Sequence, residues 1–199
     1  MLKRPQVLVL TLVLALACFA VREVAAQDAP QAPAAVAASA APPLLSAPAD
    51  FSLEETSGVM RSLGEVRGRL AIVFYEDRAH TDDNYDLKLT LHRFIQDNNL
   101  RPQITTYGVA DLTGVDGMLQ GMARTAIRAI AAQYGIQILL DWESRLQQAP
   151  FNFPAANSTI GVFDRQGRLR YRQSGVHGAA EQSALFRVLR HLLREPATP

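Results

Sequence analysis

Cysteine is almost missing from this chain: Cys18 is the only one in 199 residues. No intrachain disulfide can form, and no cysteine pair is available for thiol–disulfide exchange. Charge of one sign is missing as well, with 20 Lys and Arg against 19 Asp and Glu. That balance gives no basic field for nucleic acid and no strongly acidic surface. Long apolar runs are also absent. The longest near the N-terminus, Val7 to Ala17, falls short of the roughly 20 residues a membrane span requires. There is no internal repeat, and no nucleophile-elbow pattern surrounds any serine. Ser158, His177 and Asp164 can be named as a Ser–His–acid trio, but no motif links them.

What the N-terminus does have is the pattern of a secretory signal over residues 1–26. Lys3 and Arg4 supply the positive start, Val7 to Ala17 the apolar core, and Val24-Ala25-Ala26 the small residues before a cut at Gln27. Cleavage there removes the only thiol, and with it thiolate catalysis and cysteine metal ligands. Three cations and one carboxylate go too, so 20 and 19 become 17 and 18. The expected location is periplasmic or secreted. Two alternatives stay open: an uncleaved anchor, since Arg22 and Glu23 sit close to the cut, and a lipoprotein through Cys18, for which Ala15 is a poor match. Membrane contact is expected only in those two cases. Residues 27–50 form an Ala- and Pro-rich linker with almost no charge, in which repeated prolines deny a helix ladder.

Residues 51–195 carry the folded domain. Phe51 and Leu53 alternate as in a strand, Ser57-Gly58 marks a turn, and Val59 and Met60 return as the partner strand. Ser62 and Glu65 form a capping box around one helical turn. The stretch from Leu70 to Ile95 organises the rest: an apolar strand, Leu70 to Tyr75, then a polar turn, then a helix with Leu87, Leu91, Phe94 and Ile95 on one face. Ile104 to Val109 reads as a strand. Met118 to Tyr134 reads as a helix, with Leu119, Met122, Ala126, Ile130 and Tyr134 as its core stripe and Gly135 as its stop. Its methionines read as core filling. Ile136 to Leu140 is a short strand, and Trp142, Phe151 and Phe153 read as an aromatic cover over a sheet edge. Ser158 to Phe163 and Leu169 to Arg172 form a hairpin about Asp164-Arg165-Gln166-Gly167. A last amphipathic helix, Ala179 to Leu193, places Leu185, Val188, Leu189 and Leu192 on one stripe.

This order, with the hairpin and capped turn leading through Gly68-Arg69 into the central strand, resembles the redoxin branch of the thioredoxin superfamily, the alkyl hydroperoxide reductase and thiol-specific antioxidant (AhpC/TSA) type. Gln103-Ile104-Thr105-Thr106 and Ser158-Thr159-Ile160 are also similar to the cysteine-less periplasmic YtfJ-type family. The resemblance implies an α/β thioredoxin-like fold, a central mixed sheet flanked by helices with an N-terminal β-hairpin. It places the redox cysteine pair at Ala79 and Asp82, and the cis-proline at Ser158, none of which is the family's residue.

The polar turn gathers Glu76, Asp77, His80, Asp82 and Asp83 at a strand end, where open α/β sheets present their binding crevice. One reading has Asp82 and Asp83 capping the helix that follows. Another makes residues 76–83 an oxygen-rich divalent-cation site. A third is a patch for a protein partner or small ligand. The expected function is a non-catalytic binding or assembly role in the cell envelope, with no catalytic residue and no cofactor required. The rival expectation is residual antioxidant or oxidoreductase activity.

Overall fold

Six consecutive apolar residues, Leu70 to Tyr75, leave no polar face for solvent, and the chain buries them on both sides of a sheet. The computed structural model describes residues 47–196. The expected signal 1–26, most of the linker 27–50 and Cys18 lie outside the described residues. β1 (Ser52–Glu55) and β2 (Met60–Ser62) make the first hairpin. β3 (Leu70–Glu76), α1 (Tyr85–Asp97), β4 (Ile104–Asp111), α2 (Gly117–Tyr134) and β5 (Gln137–Asp141) follow. β6 (Ser158–Phe163), β7 (Leu169–Ser174) and α3 (Ala179–Arg194) complete the order. The seven strands run β2-β1-β5-β4-β3-β6-β7. β3, β4 and β5 are mutually parallel through the α1 and α2 crossovers; the hairpins at each edge are antiparallel.

One face of the sheet is covered by α1 and α3. Leu87, Leu91 and Ile95 of α1 and Leu185, Leu189 and Leu192 of α3 close over Leu70, Ile72, Phe74, Ile160 and Val162. Each buried leucine contributes about 1.5–3 kcal/mol of transfer free energy. The opposite face has no α-helix in its core, and aromatic rings take that place. Phe151 meets Phe51, Phe153 and Phe163 edge-on at 5.9, 6.3 and 6.1 Å, and Tyr75 meets Phe153 at 5.8 Å. Gly161 in β6 makes this possible: a Cβ there would come within 2.9 Å of Phe153 Cζ. Phe151 and Phe153 therefore lie inside the core rather than forming a cover with Trp142, which sits instead near the Arg124 guanidinium, 5.9 Å from its ring.

Both local signatures form. Ser62 and Glu65 exchange side-chain and backbone bonds as a capping box. Asp164 accepts from the Gln166 and Arg168 backbone N–H groups at 3.0 and 2.9 Å, and from the Arg168 and Arg170 guanidinium groups. Packing already begins at Ala49, which is buried and donates its N–H to Gly167 O at 3.0 Å. Arg67 fastens the same corner, donating to Ala49 O at 2.9 Å and to Gln166 O. Its guanidinium lies where a Cβ on Gly167 would stand.

α2 departs from expectation. It begins at Gly117 behind an Asp116 cap, which the sequence reading did not name, and ends at Gly135 as the sequence indicates, but its expected core stripe is largely uncovered. Leu119, Met122 and Tyr134 are exposed, and Ala131 is its only fully buried residue. The helix is turned instead by two arginines. Arg124 pairs with both Glu54 carboxylate oxygens, and Arg128 Nε donates to Thr56 O at 2.9 Å. Periodicity identified an apolar face; it did not identify which face the sheet would cover.

Candidate functional site at the end of the central strand

β3 ends at Glu76, whose register partner on β6 is Ser158. The two side chains are buried, and Ser158 Oγ donates to Glu76 Oε1 at 2.7 Å. Lys88, one turn into α1, donates from Nζ to Glu76 Oε2 at 2.6 Å and to Thr81 O at 2.7 Å. Burial pushes the Glu76 carboxyl up from its ordinary value, and the Asp83 charge adds to this; Lys88 and Ser158 pull it down without overcoming burial.

Asn84 extends the network. Its Nδ2 donates to Ser158 Oγ at 2.8 Å and to Gly175 O at 3.0 Å, and its Oδ1 accepts the His177 backbone N–H at 2.9 Å. His177 itself is buried, with Nδ1 3.1 Å from Gly175 O, and burial pushes its imidazole below the usual value. A continuous chain, Lys88–Glu76–Ser158–Asn84–His177, thus links the loop before α1 to the loop before α3. Among the described residues no cysteine stands anywhere near it.

The loop from Asp77 to Asp83 folds on itself through successive turns, His80 N to Asp77 O and Asp83 N to His80 O, followed by Tyr85 N to Asp82 O. Asp77 Oδ1 accepts from the Ala79 and His80 N–H groups at 2.9 and 3.0 Å and lies 2.6 Å from His80 Nδ1. That contact holds the imidazole above its usual value. These turns delay the helix, so Asn84 and not Asp82 or Asp83 stands at the N-cap of α1. The expected capping by Asp82 and Asp83 is therefore wrong, and Asn84 makes no cap bond either, because its amide is committed to the interior.

Of the residues singled out in the sequence, the fold brings together Glu76 and Ser158 in one buried contact and Asp77 with His80 in another. Ala79 and Asp82 lie on the exposed loop, before the helix starts. Asp164 sits at the far end of β6, so the Ser158–His177–Asp164 trio does not assemble. Among the described residues no three His, Cys, Asp or Glu side chains are placed to hold a metal ion, and Asp77 is already engaged by the loop's own donors. The sequence reading overlooked Asn84 and Lys88 and gave His177 no structural role. An Asn immediately before an apolar helical stripe, with Lys four residues on, is the signal that could have found the first two.

The sheet order, the crossovers and the strand-end loop define the class: the fold is thioredoxin-like. Among solved structures the chain is similar to a thiol-disulfide isomerase from Corynebacterium glutamicum, with a TM-score of 0.55 and 18% identity over 77% of this chain and 97% of that one. It is similar to BsSco, a member of the Sco family of cytochrome c oxidase assembly proteins, with a TM-score of 0.56 and 12% identity over 78% and 98%. A secreted Mycobacterium tuberculosis disulfide oxidoreductase homologous to E. coli DsbE aligns with a TM-score of 0.50 and 18% identity over 71% and 96%. At these identities the likeness is one of fold. Comparison with protein-family models finds no match, and comparison with curated proteins finds none.

Proposed function

We propose that this chain is an exported thioredoxin-like protein of the cell envelope that works without thiol chemistry, using the end of β3 to bind a protein partner or small ligand in a non-catalytic or assembly role. One observation carries the reading. Where a thioredoxin-like sheet presents its reactive thiols, this chain has a buried Lys88–Glu76–Ser158–Asn84 network and an exposed, self-bonded loop. Ser158 is fully buried, which leaves its hydroxyl out of reach as a nucleophile. The finer resemblance to the redoxin and YtfJ-type families rests on the hairpin leading to Gly68-Arg69 and on the Asp164 turn. The envelope location rests on the signal-like residues 1–26. A secreted disulfide oxidoreductase also shares the fold. An assembly role is what BsSco's family is named for, and that role is carried to this chain only as part of the proposal.

The test has two arms. The exported protein, its N-terminus fixed by intact mass, is assayed for insulin-disulfide reduction and for peroxide consumption with a thiol donor, beside a Cys18→Ser form. No turnover in either is expected; turnover that depends on Cys18 establishes the antioxidant alternative instead. In intact cells, a photo-crosslinking residue at Ala79 should give a discrete adduct that the same residue at Arg187 on α3 does not. Absence of any adduct specific to position 79 ends the binding role for this loop.

A further inference from the structure

Many arginines of this fold face carboxylates. Arg61 pairs with Glu55, Arg124 with Glu54, and Arg168 and Arg170 with Asp164. The outward face of α3 is built differently. Arg187, Arg190, His191 and Arg194 are all exposed there, and at 3.6 residues per turn they fall within an arc of about 100°. Glu181 and Glu195 lie off that arc, both half-buried. Glu195 reaches His191 and Arg170, each at 3.2 Å, and none of the three arginines of the face. Arg187 and Arg194 enter no ion pair or hydrogen bond among the described residues, and Arg190 rests over the Phe186 ring, 6.0 Å from its centroid. The helix dipole accounts for His191 and Arg194 in the last turn, but not for Arg187 and Arg190. The neighbouring α1 meets α3 through Phe94 and Phe186 at 5.3 Å, and its exposed end adds Arg93 and Asp97, one charge of each sign.

We propose that this face of α3 rests on an anionic phospholipid surface. Charge selects an anion, and the state of the arginines selects a headgroup layer over an acidic protein. A specific protein contact needs guanidinium groups held in register with its carboxylates. Arg187 and Arg194 are held by nothing, which suits a diffuse sheet of phosphates that can be met at any spacing. Half-buried Phe186 and Leu193 flank the arginines, the mixed edge that interfacial helices present to lipid. The path of the chain is a second, independent observation. Arg165 Nη1 donates to Leu192 O at 2.6 Å and to Glu195 O at 3.1 Å, and two residues further on Gly167 O accepts the Ala49 N–H at 3.0 Å. Whatever precedes residue 47 therefore enters the domain beside the C-terminal end of α3. Either membrane-attached alternative left open for residues 1–26 would bring these arginines to the lipid. Each arginine close to such a surface strengthens binding about fivefold. The proposal takes from the proposed function only the envelope location.

The test is co-sedimentation of the exported protein with sucrose-loaded vesicles of phosphatidylglycerol or of phosphatidylcholine. The protein should bind the first and not the second, and added salt should release it. Arg187→Gln with Arg194→Gln should weaken that binding about 25-fold, the product of two fivefold losses. Both positions are exposed and unbonded, so an unchanged thermal transition should accompany the loss. Arg61→Gln with Arg145→Gln removes the same net charge beside β1 and β2. That side of the sheet lies beyond a Debye length of about 8–10 Å from α3, so this pair should change binding less than about twofold. No binding to phosphatidylglycerol overturns the proposal and leaves the face to solvent or to an acidic protein. Equal binding to both kinds of vesicle, or equal losses in the two double variants, also overturns it. None of these outcomes bears on the adduct expected at position 79, so the loop's binding role and this one fail separately.

Discussion

At Asn84 one amide holds three segments together: the start of α1, the first residue of β6 and the loop before α3. Asn84→Ala removes three hydrogen bonds and leaves the buried His177 N–H without its partner, so a loss of about 2–4 kcal/mol is expected in urea unfolding. The double change Asp82→Ala and Asp83→Ala should fall within about 0.5 kcal/mol of the parent, since neither residue caps α1. None of this was legible in the local pattern. Three candidate caps stand in a row, Asp82, Asp83 and Asn84, and only the tertiary position of Ser158 and Gly175 turns one of them inward. Glu76 gives a signed test. Its folded pKa is raised by burial, so its contribution to stability is fully present below the ordinary 4.5 and is lost as pH rises through the folded value. Glu76→Gln should abolish that decline in a series of unfolding midpoints across mildly acidic to neutral pH.

At the scale of elements, what could be read from sequence was whatever depends on neighbours in the chain. The Ser62–Glu65 box, the Asp164 turn and the stripes of α1 and α3 are all of this kind, because each is fixed by spacing within a few residues. α2 was legible as a helix and illegible as a packed one: its orientation follows from Glu54 and Thr56, which are roughly seventy residues away along the chain. The hairpin turn offers the opposite pH dependence to Glu76. Burial alone would raise Asp164, but bonds from the Arg168 backbone and from the Arg168 and Arg170 guanidinium groups outweigh it, and the carboxyl is held below its ordinary 3.8. Its stabilisation is therefore complete above that value and lost as pH falls through the lower folded one. Acid unfolding of the parent should show this loss, and Asp164→Asn should be less stable at neutral pH with a flatter acid limb.

At the largest scale, the described residues form a sheet with helices sealing one side and aromatic rings packed on the other. Removal of residues 179–199 exposes Leu70, Ile72, Ile160 and Val162 at once, and the product should show no cooperative thermal transition. A cooperative transition in that truncated chain would mean that α3 is dispensable to the core. The positions of the two ends of β3 have a mechanical consequence. Ala49 is clasped by Arg67 and Gly167 at the end where β3 begins, next to the Gly68 N to Arg165 O bond. Glu76 and its loop lie at the other end, roughly 20 Å away along the strand. A pull applied at Ala47 loads the Arg67–Gly167 clasp and the β6–β7 turn before any of it reaches the Lys88–Glu76 pair. Held from that side, the molecule would carry tension at its base while the loop from Asp77 to Asp83 stayed unstrained and pointed outward, toward whatever it meets.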